Sequence, residues 1–196
     1  MPRALTVLLL VLAALLGGVL AYRSFGQPLG GTPVTSGPRV PVERLVGDDG
    51  KPRDLNDWAG RTRLVFFGYT RCPDVCPITM GVLSRAYAEL SPEQRARLKV
   101  LLVTVDPAHD TPKQLRTYLD HFHADFTGLT GQQAALERTK KGFFVFAHTT
   151  EEHLIMHGDT VAVVDGEGRM RRVYNQQAVT DGSLARDLPR LADGAY

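Results

Sequence analysis

The sequence predicts an α/β fold: a mixed sheet with helices on both faces, preceded by an apolar segment and a Gly/Pro-rich linker. Short apolar runs of strand length alternate with stretches of about 10–15 residues whose apolar positions recur at helical spacing, the pattern of crossover units. A hairpin pattern near the carboxyl end adds antiparallel strands. The composition, 43% hydrophobic and 22% charged, is that of a globular domain. A chain of 196 residues accommodates one domain plus extras and buries a core without needing disulfides or metals.

The net charge of +2 comes from Arg3 and Arg23, since removing residues 1–23 leaves 21 basic against 21 acidic residues. A nucleic-acid binder shows a basic excess, and none is present. Residues 4–22, ALTVLLLVLAALLGGVLAY, are uncharged and largely apolar. As a helix this run is about 28 Å long, close to the roughly 30 Å hydrocarbon core of a bilayer. Residues 1–23 are therefore expected to be a transmembrane anchor or uncleaved signal, with the domain on the extracytoplasmic side. The rival is a cleaved signal peptide, with VLA (19–21) as the cleavage site; the run exceeds the usual apolar length of such signals. Residues 25–41 hold four Gly and four Pro, so 24–37 reads as a stalk and the domain is expected over 38–196.

The elements follow in order. VERLV (42–46) is a strand leading into a turn, and RLVFFGY (63–69) is a buried strand. Ile78, Val82, Leu83, Ala86, Tyr87 and Leu90 mark a helix whose first turn suits Pro77. LKVLLVTVD (98–106) is a second buried strand. The next helix opens with Thr111 as N-cap and Pro112 at its first position, and another, 132–142, ends at Gly142. TVAVVD (160–165) and RMRRVYN (169–175) form a hairpin, and a short helix over about 182–191 closes the chain.

Chemistry concentrates in GYTRCPDVCP, which holds the only cysteines, Cys72 and Cys76. Cys72 ends the loop after a buried strand, where α/β sheets bind ligands, and Cys76 opens a helix, where exposed N–H groups favour a thiolate. Their spacing puts the two Cα atoms about 6 Å apart on one helical face, compatible with a disulfide or with two thiolates on one ion. A merely structural bridge closing so short a loop contributes only about 2 kcal/mol. A third ligand separates metal binding from redox work. His121 and His123 lie at a helix end, His109 in a loop, and His148 and His153 in a polar stretch, so solvated or capping roles fit them. His157 directly precedes a buried strand, where a ring is held in place as a ligand must be, or caps the sheet. Two thiolates and an imidazole suit copper(I), and also copper(II) or zinc; the spacing alone leaves these open.

FFGYTRCPDVCP, then VTVDPAHDTP 34 residues on from Cys72 to Asp106, then a late histidine before a core strand, together resemble the Sco/SenC family of copper-assembly proteins. The resemblance covers roughly residues 38–196. It implies a thioredoxin-like domain tethered by one amino-terminal helix, with Cys72, Cys76 and His157 as copper ligands for Cu(I) or Cu(II). It also implies that Asp106, Pro107, Asp110, Thr111 and Pro112 lie near the site, where loop and N-cap geometry explains them equally well; Asp74 is a further motif match. The implied function is a metallochaperone more than an enzyme. It would assist assembly of the dinuclear copper centre of cytochrome c oxidase, with that enzyme's copper-bearing subunit or another copper chaperone as partner. The alternative is an extracytoplasmic thiol-disulfide reductase using the same cysteines. Arg71, Met156 and Gly158 depart from the family pattern and alter the surroundings of the site.

Overall fold

The computed structural model describes residues 2–25, 28–149 and 155–196. In chain order its elements are α1 (Pro2–Phe25), β1 (Thr32–Pro33), β2 (Leu45–Gly47), β3 (Pro52–Arg53), a 3₁₀ turn (Leu55–Trp58), β4 (Thr62–Gly68), α2 (Val75–Ala88) and α3 (Pro92–Arg97). There follow β5 (Leu98–Thr104), α4 (Pro112–Asp120), β6 (Thr127–Thr130), α5 (Gln133–Gly142), β7 (Ala147–Thr149) and β8 (Ile155–His157). The chain closes with β9 (Val161–Val164), β10 (Met170–Tyr174), α6 (Gln176–Thr180) and α7 (Ser183–Ala192). Strands β7 and β8 pair as a separate antiparallel ribbon, described through its backbone only.

Eight strands form one sheet in the order β1-β10-β9-β4-β5-β6-β2-β3. The centre, β4-β5-β6, is parallel, and β9 runs antiparallel to β4. Two successive parallel connections stepping the same way across a sheet are both right-handed, which puts α2 and α4 on one face. The register agrees. Phe66, Leu102 and Gly128 are lateral partners across β4, β5 and β6 and so share a face. On that face Gly128 backs directly onto Leu115 of α4, and Gly68, two residues after Phe66, backs onto Cys76 of α2. Phe67 points the other way and meets Phe143, just past α5, with ring centroids 5.2 Å apart. The predicted mixed sheet with helices on both faces is the observed architecture.

The capping signals hold in detail. Thr111 caps α4 with Gln114 closing a capping box, and Pro112 occupies the first helical position. Ser91 and Gln94 form the same motif on α3, a helix the apolar periodicity did not reveal because none of its residues is buried. The run over 63–69 is a buried strand but not purely apolar. Arg63 is fully buried, and its guanidinium donates to the carbonyls of Leu55 and Asp165.

Two expectations change at the amino end. The stretch expected as a stalk is docked from about residue 29. Asp187, buried on α7, accepts the Gly30 N–H at 2.6 Å and the Tyr174 hydroxyl at 2.9 Å. Arg172 donates to the Gly30 carbonyl at 2.7 Å, and β1 adds to the sheet beside β10. Gly and Pro there serve close backbone approach: Gly31 has φ +66°, and an added Cβ would lie 2.7 Å from the Val173 carbonyl oxygen. The apolar run of 4–22 is helical within α1, and its described large side chains are exposed. Among the described residues, however, no helix is long and apolar enough to cross a membrane. A spanning anchor over 1–23 is therefore not supported by the described residues.

Asp187→Ala strands two donors at once, the buried Tyr174 hydroxyl and the part-buried Gly30 N–H, and is expected to lower stability by about 3 kcal/mol in urea denaturation. Limited proteolysis should then cut within 28–37 faster than in the wild type.

Candidate metal centre

The site forms where β4 and β5, adjacent and parallel, both reach their carboxyl ends. The loop after β4 carries Cys72, and α2 opens with Asp74 as N-cap and Cys76 at its second helical position. Asp74 makes no side-chain cap. Its place is partly taken by Cys72, whose sulfur accepts the Cys76 N–H at 3.5 Å. No disulfide joins the two cysteines; Cys72 is half-buried and Cys76 fully buried.

This arrangement divides the two thiols. The helix start was expected to favour a thiolate at Cys76, and the structure corrects that. The hydrogen bond with Cys72 and burial push the Cys76 thiol far above the usual range, with the charges of Cys72 and Asp110 adding to the rise; only a backbone hydrogen bond from Tyr69 opposes it. The oriented N–H of the first turn is spent on Cys72 instead. Gly68 makes room for the buried sulfur, since an added Cβ there would lie 2.9 Å from Cys76 Sγ and 3.0 Å from Phe66. Sequence reading passed over Gly68; its signal was a glycine ending an otherwise bulky strand immediately before the cysteine loop.

The aspartates of the second motif brace this loop. Asp110 accepts the Thr104 hydroxyl at 2.5 Å and the Thr70 hydroxyl at 2.6 Å, and also the Thr70 N–H. Burial pushes its carboxyl above the usual range, the Thr104 and Thr70 hydrogen bonds pull against this, and nearby Asp106 reinforces the rise. Asp106 is nearly buried. Burial opposes its charge, but hydrogen bonds from His109 and Arg71 outweigh that and hold it below the usual carboxylate range. Arg71 donates to Asp106 at 2.8 Å, and His109 Nδ1 lies 2.9 Å from the same carboxylate. The guanidinium beside the site is thus anchored from loop to loop. His121 Nδ1 lies 2.8 Å from the Thr117 carbonyl oxygen, the capping role expected of it, whereas His123 packs on Tyr87 and Phe126.

His157 is placed by its backbone. It ends β8, opposite Ala147, four residues before Val161. Val161 pairs with Phe66, and because β9 is antiparallel to β4, the chain before Val161 lies at the carboxyl end of β4, where the cysteine loop begins. The His157 and Met156 side chains lie outside the described residues. Among the described residues no group of three metal-binding side chains is assembled, so the structure brings together Cys72 and Cys76 and leaves the third ligand untested.

A family model described as SCO1/SenC matches residues 44–193. The chain belongs to the SCO1/SenC family. A relative in Stutzerimonas stutzeri, a "putative copper-binding protein", is 38% identical over 158 residues, covering 79% of this chain and 77% of its own. The apo Sco1 solution structure from Thermus thermophilus superposes with a TM-score of 0.74 at 34% identity, covering 84% of this chain and 97% of that one. ScoI from Bradyrhizobium japonicum, solved with copper bound, has a TM-score of 0.68 at 27% identity, covering 78% and 99%. Against two yeast relatives in the SCO1/SenC family, SCO2 of Saccharomyces cerevisiae and sco1 of Schizosaccharomyces pombe, the match spans 48% and 58% of their lengths.

In the reduced native protein, alkylation followed by peptide mass spectrometry is expected to label Cys72 first, with Cys76 labelled only on unfolding. A thiol raised in the folded state costs no stability below the unfolded thiol pKa of about 8.5 and costs progressively more as pH rises through its folded value. Replacing Cys76 by Ala should therefore become less destabilising, relative to wild type, between pH 7 and pH 10. Gly68→Ala, which forces Cys76 Sγ aside, is expected to cost about 1–3 kcal/mol in chemical denaturation.

Proposed function

We propose that the domain carries copper as cargo on Cys72, Cys76 and His157 and delivers it in assembly of the dinuclear copper centre of cytochrome c oxidase. The observation that carries this reading is the pair of soft thiols, not joined by a disulfide and one helical turn apart at the mouth of the sheet, with the backbone of His157 at the same end. The donor chemistry fits copper(I), since two thiols are soft ligands, and two carboxylates that brace the loop, Asp106 and Asp110, are already engaged. Copper in a relative of the same family and "copper-binding" in another's name support the assignment. Residues 38–196 act as the working domain. The exposed apolar side chains of α1 suit a membrane or another apolar surface, and we place tethering through that helix and an extracytoplasmic location in the same proposal.

One observation favours a second reading, a thiol-disulfide reductase acting on the acceptor's cysteines. Cys72 is accessible and receives a helix N–H, while Cys76 is buried and held as a thiol, the division expected of an attacking and a resolving cysteine. Attack by the Cys72 thiolate on a partner disulfide forms a mixed disulfide and releases one partner thiol. Cys76, losing its proton, then attacks Cys72 sulfur, leaving the partner fully reduced and this chain oxidised. Copper holding needs both sulfurs reduced, so the two activities are mutually exclusive at any instant.

Anaerobic copper(I) titration of the reduced full chain against a competing chelator is expected to show one tight equivalent. His157→Ala should weaken it sharply, and Cys72→Ser or Cys76→Ser should abolish it. Retention of tight binding in His157→Ala would remove the histidine from the site. Absence of any tight equivalent, together with reduction of an oxidised acceptor peptide, would transfer the function to the reductase reading. After cell fractionation, the chain is expected in the membrane pellet; recovery in the soluble fraction would refute the tether.

A further inference from the structure

At the end of the sheet away from the thiols, positive charge converges on a cleft. It opens where β4 and β5 begin, measures about 420 Å³, and is lined by Arg61 just before β4, Arg95 of α3 and Lys99 of β5. A cavity of this size admits a small molecule. Asp125 also lies on its wall, but its carboxylate accepts the Tyr87 hydroxyl at 3.3 Å and sits 3.9 Å from His123 Nδ1. Lys99 donates to the Asp125 backbone carbonyl rather than to that carboxylate.

The two guanidiniums of the cleft are not spent on the fold. Arg53, Arg97, Arg116 and Arg138 each rest on a carboxylate at 2.7–3.5 Å. Among the described residues, neither Arg61 nor Arg95 forms an ion pair or a side-chain hydrogen bond, although Arg95 is half-buried. Like charges converging on one cleft repel one another, and an anion placed between them reverses the sign of that interaction. Arginine forks match the oxygens of a phosphoryl group, and three cations against the Asp125 carboxylate leave two positive charges, the complement of a dianion. Beside Arg95, Pro92 and Ala96 lie four residues apart on α3 and give the cleft an apolar wall.

We propose that this cleft is a second ligand site and takes a soluble phosphate monoester, its phosphoryl dianion held by Arg61, Arg95 and Lys99 and its apolar body resting on Pro92 and Ala96. A phospholipid headgroup carries related chemistry. The segment that follows α1, however, joins the sheet beside Tyr174, in line with Val161 and Phe66 toward the carboxyl end of β4, whereas the cleft lies at the amino end. A soluble ligand fits that placement. The site uses neither thiol, so it stands apart from the copper reading.

The test is calorimetric titration of the reduced full chain with phenyl phosphate, which should show one saturable event by about 10 mM ligand. Arg61→Gln and Arg95→Gln should each weaken it about tenfold. Neither side chain has a partner to lose, so both variants should keep the wild-type thermal midpoint without ligand. Lys141→Gln, which removes an exposed cation on α5 outside the cleft, should leave binding unchanged. Inorganic phosphate, the head without the body, should bind more weakly than phenyl phosphate, and benzyl alcohol, the body without the charge, should not bind. Absence of a saturable event would overturn the proposal, and so would equal weakening by Lys141→Gln, which would reduce the effect to diffuse surface charge. Arg95-dependent binding of dihexanoylphosphatidylglycerol in place of phenyl phosphate would assign the cleft to a lipid headgroup and overturn the soluble ligand. A failure of copper(I) binding, measured separately, would leave this site intact.

Discussion

The site depends on a single buried carboxyl group. Asp110 lies just past the end of β5, yet it binds Thr70, beyond the end of β4, through both backbone and side chain, and it holds Thr104 as well. Two adjacent parallel strands would otherwise end in loops free to move independently. Burying a carboxyl is unfavourable, which its raised pKa records, and three donors offset the cost. The outcome is a fixed path for residues 69–72, so that Cys72 reaches the first turn of α2 with its sulfur under the Cys76 N–H. The exposed bridge from Arg71 to Asp106 repeats the tie on the solvent side, where it contributes less.

Within that frame the protein makes two chemically different thiols from one sequence motif. Gly68 opens a pocket in the sheet face and α2 delivers Cys76 into it, so burial and the neighbouring sulfur both favour the protonated form. Cys72 stays at the rim. A symmetrical pair would either oxidise readily or repel as two thiolates; an unequal pair has one group ready to react or bind and a second that follows once a metal or a mixed disulfide changes its surroundings.

The fold was legible in the chain because its signals are local: bulky runs over 63–69 and 98–106, Thr111–Pro112 at a helix start, and a turn between 160–165 and 169–175. What escaped was what depends on partners distant in sequence. β6 is only four residues and contains Gly128, whose value is that Leu115 lies over it. Residues 29–33 look like a linker because their composition forms no core, yet Arg172 and Asp187, more than 140 residues later, supply the bonds that dock them. At the site the cysteines were plain from spacing. The inversion of reactivity between them was not, because helix-end electrostatics can be read from sequence and the depth of a sulfur cannot.

The docking of residues 29–33 changes how far the domain can travel. A free stalk of 14 residues, 24–37, would give a radius of roughly 45–50 Å in which the metal site could search. With the Leu29 and Gly30 carbonyls held by Arg172, only residues 26–28 separate the end of α1 from the docked chain, a contour of roughly 10 Å. The connection is short, so under the proposed tethering the thiols stay close to whatever surface holds α1.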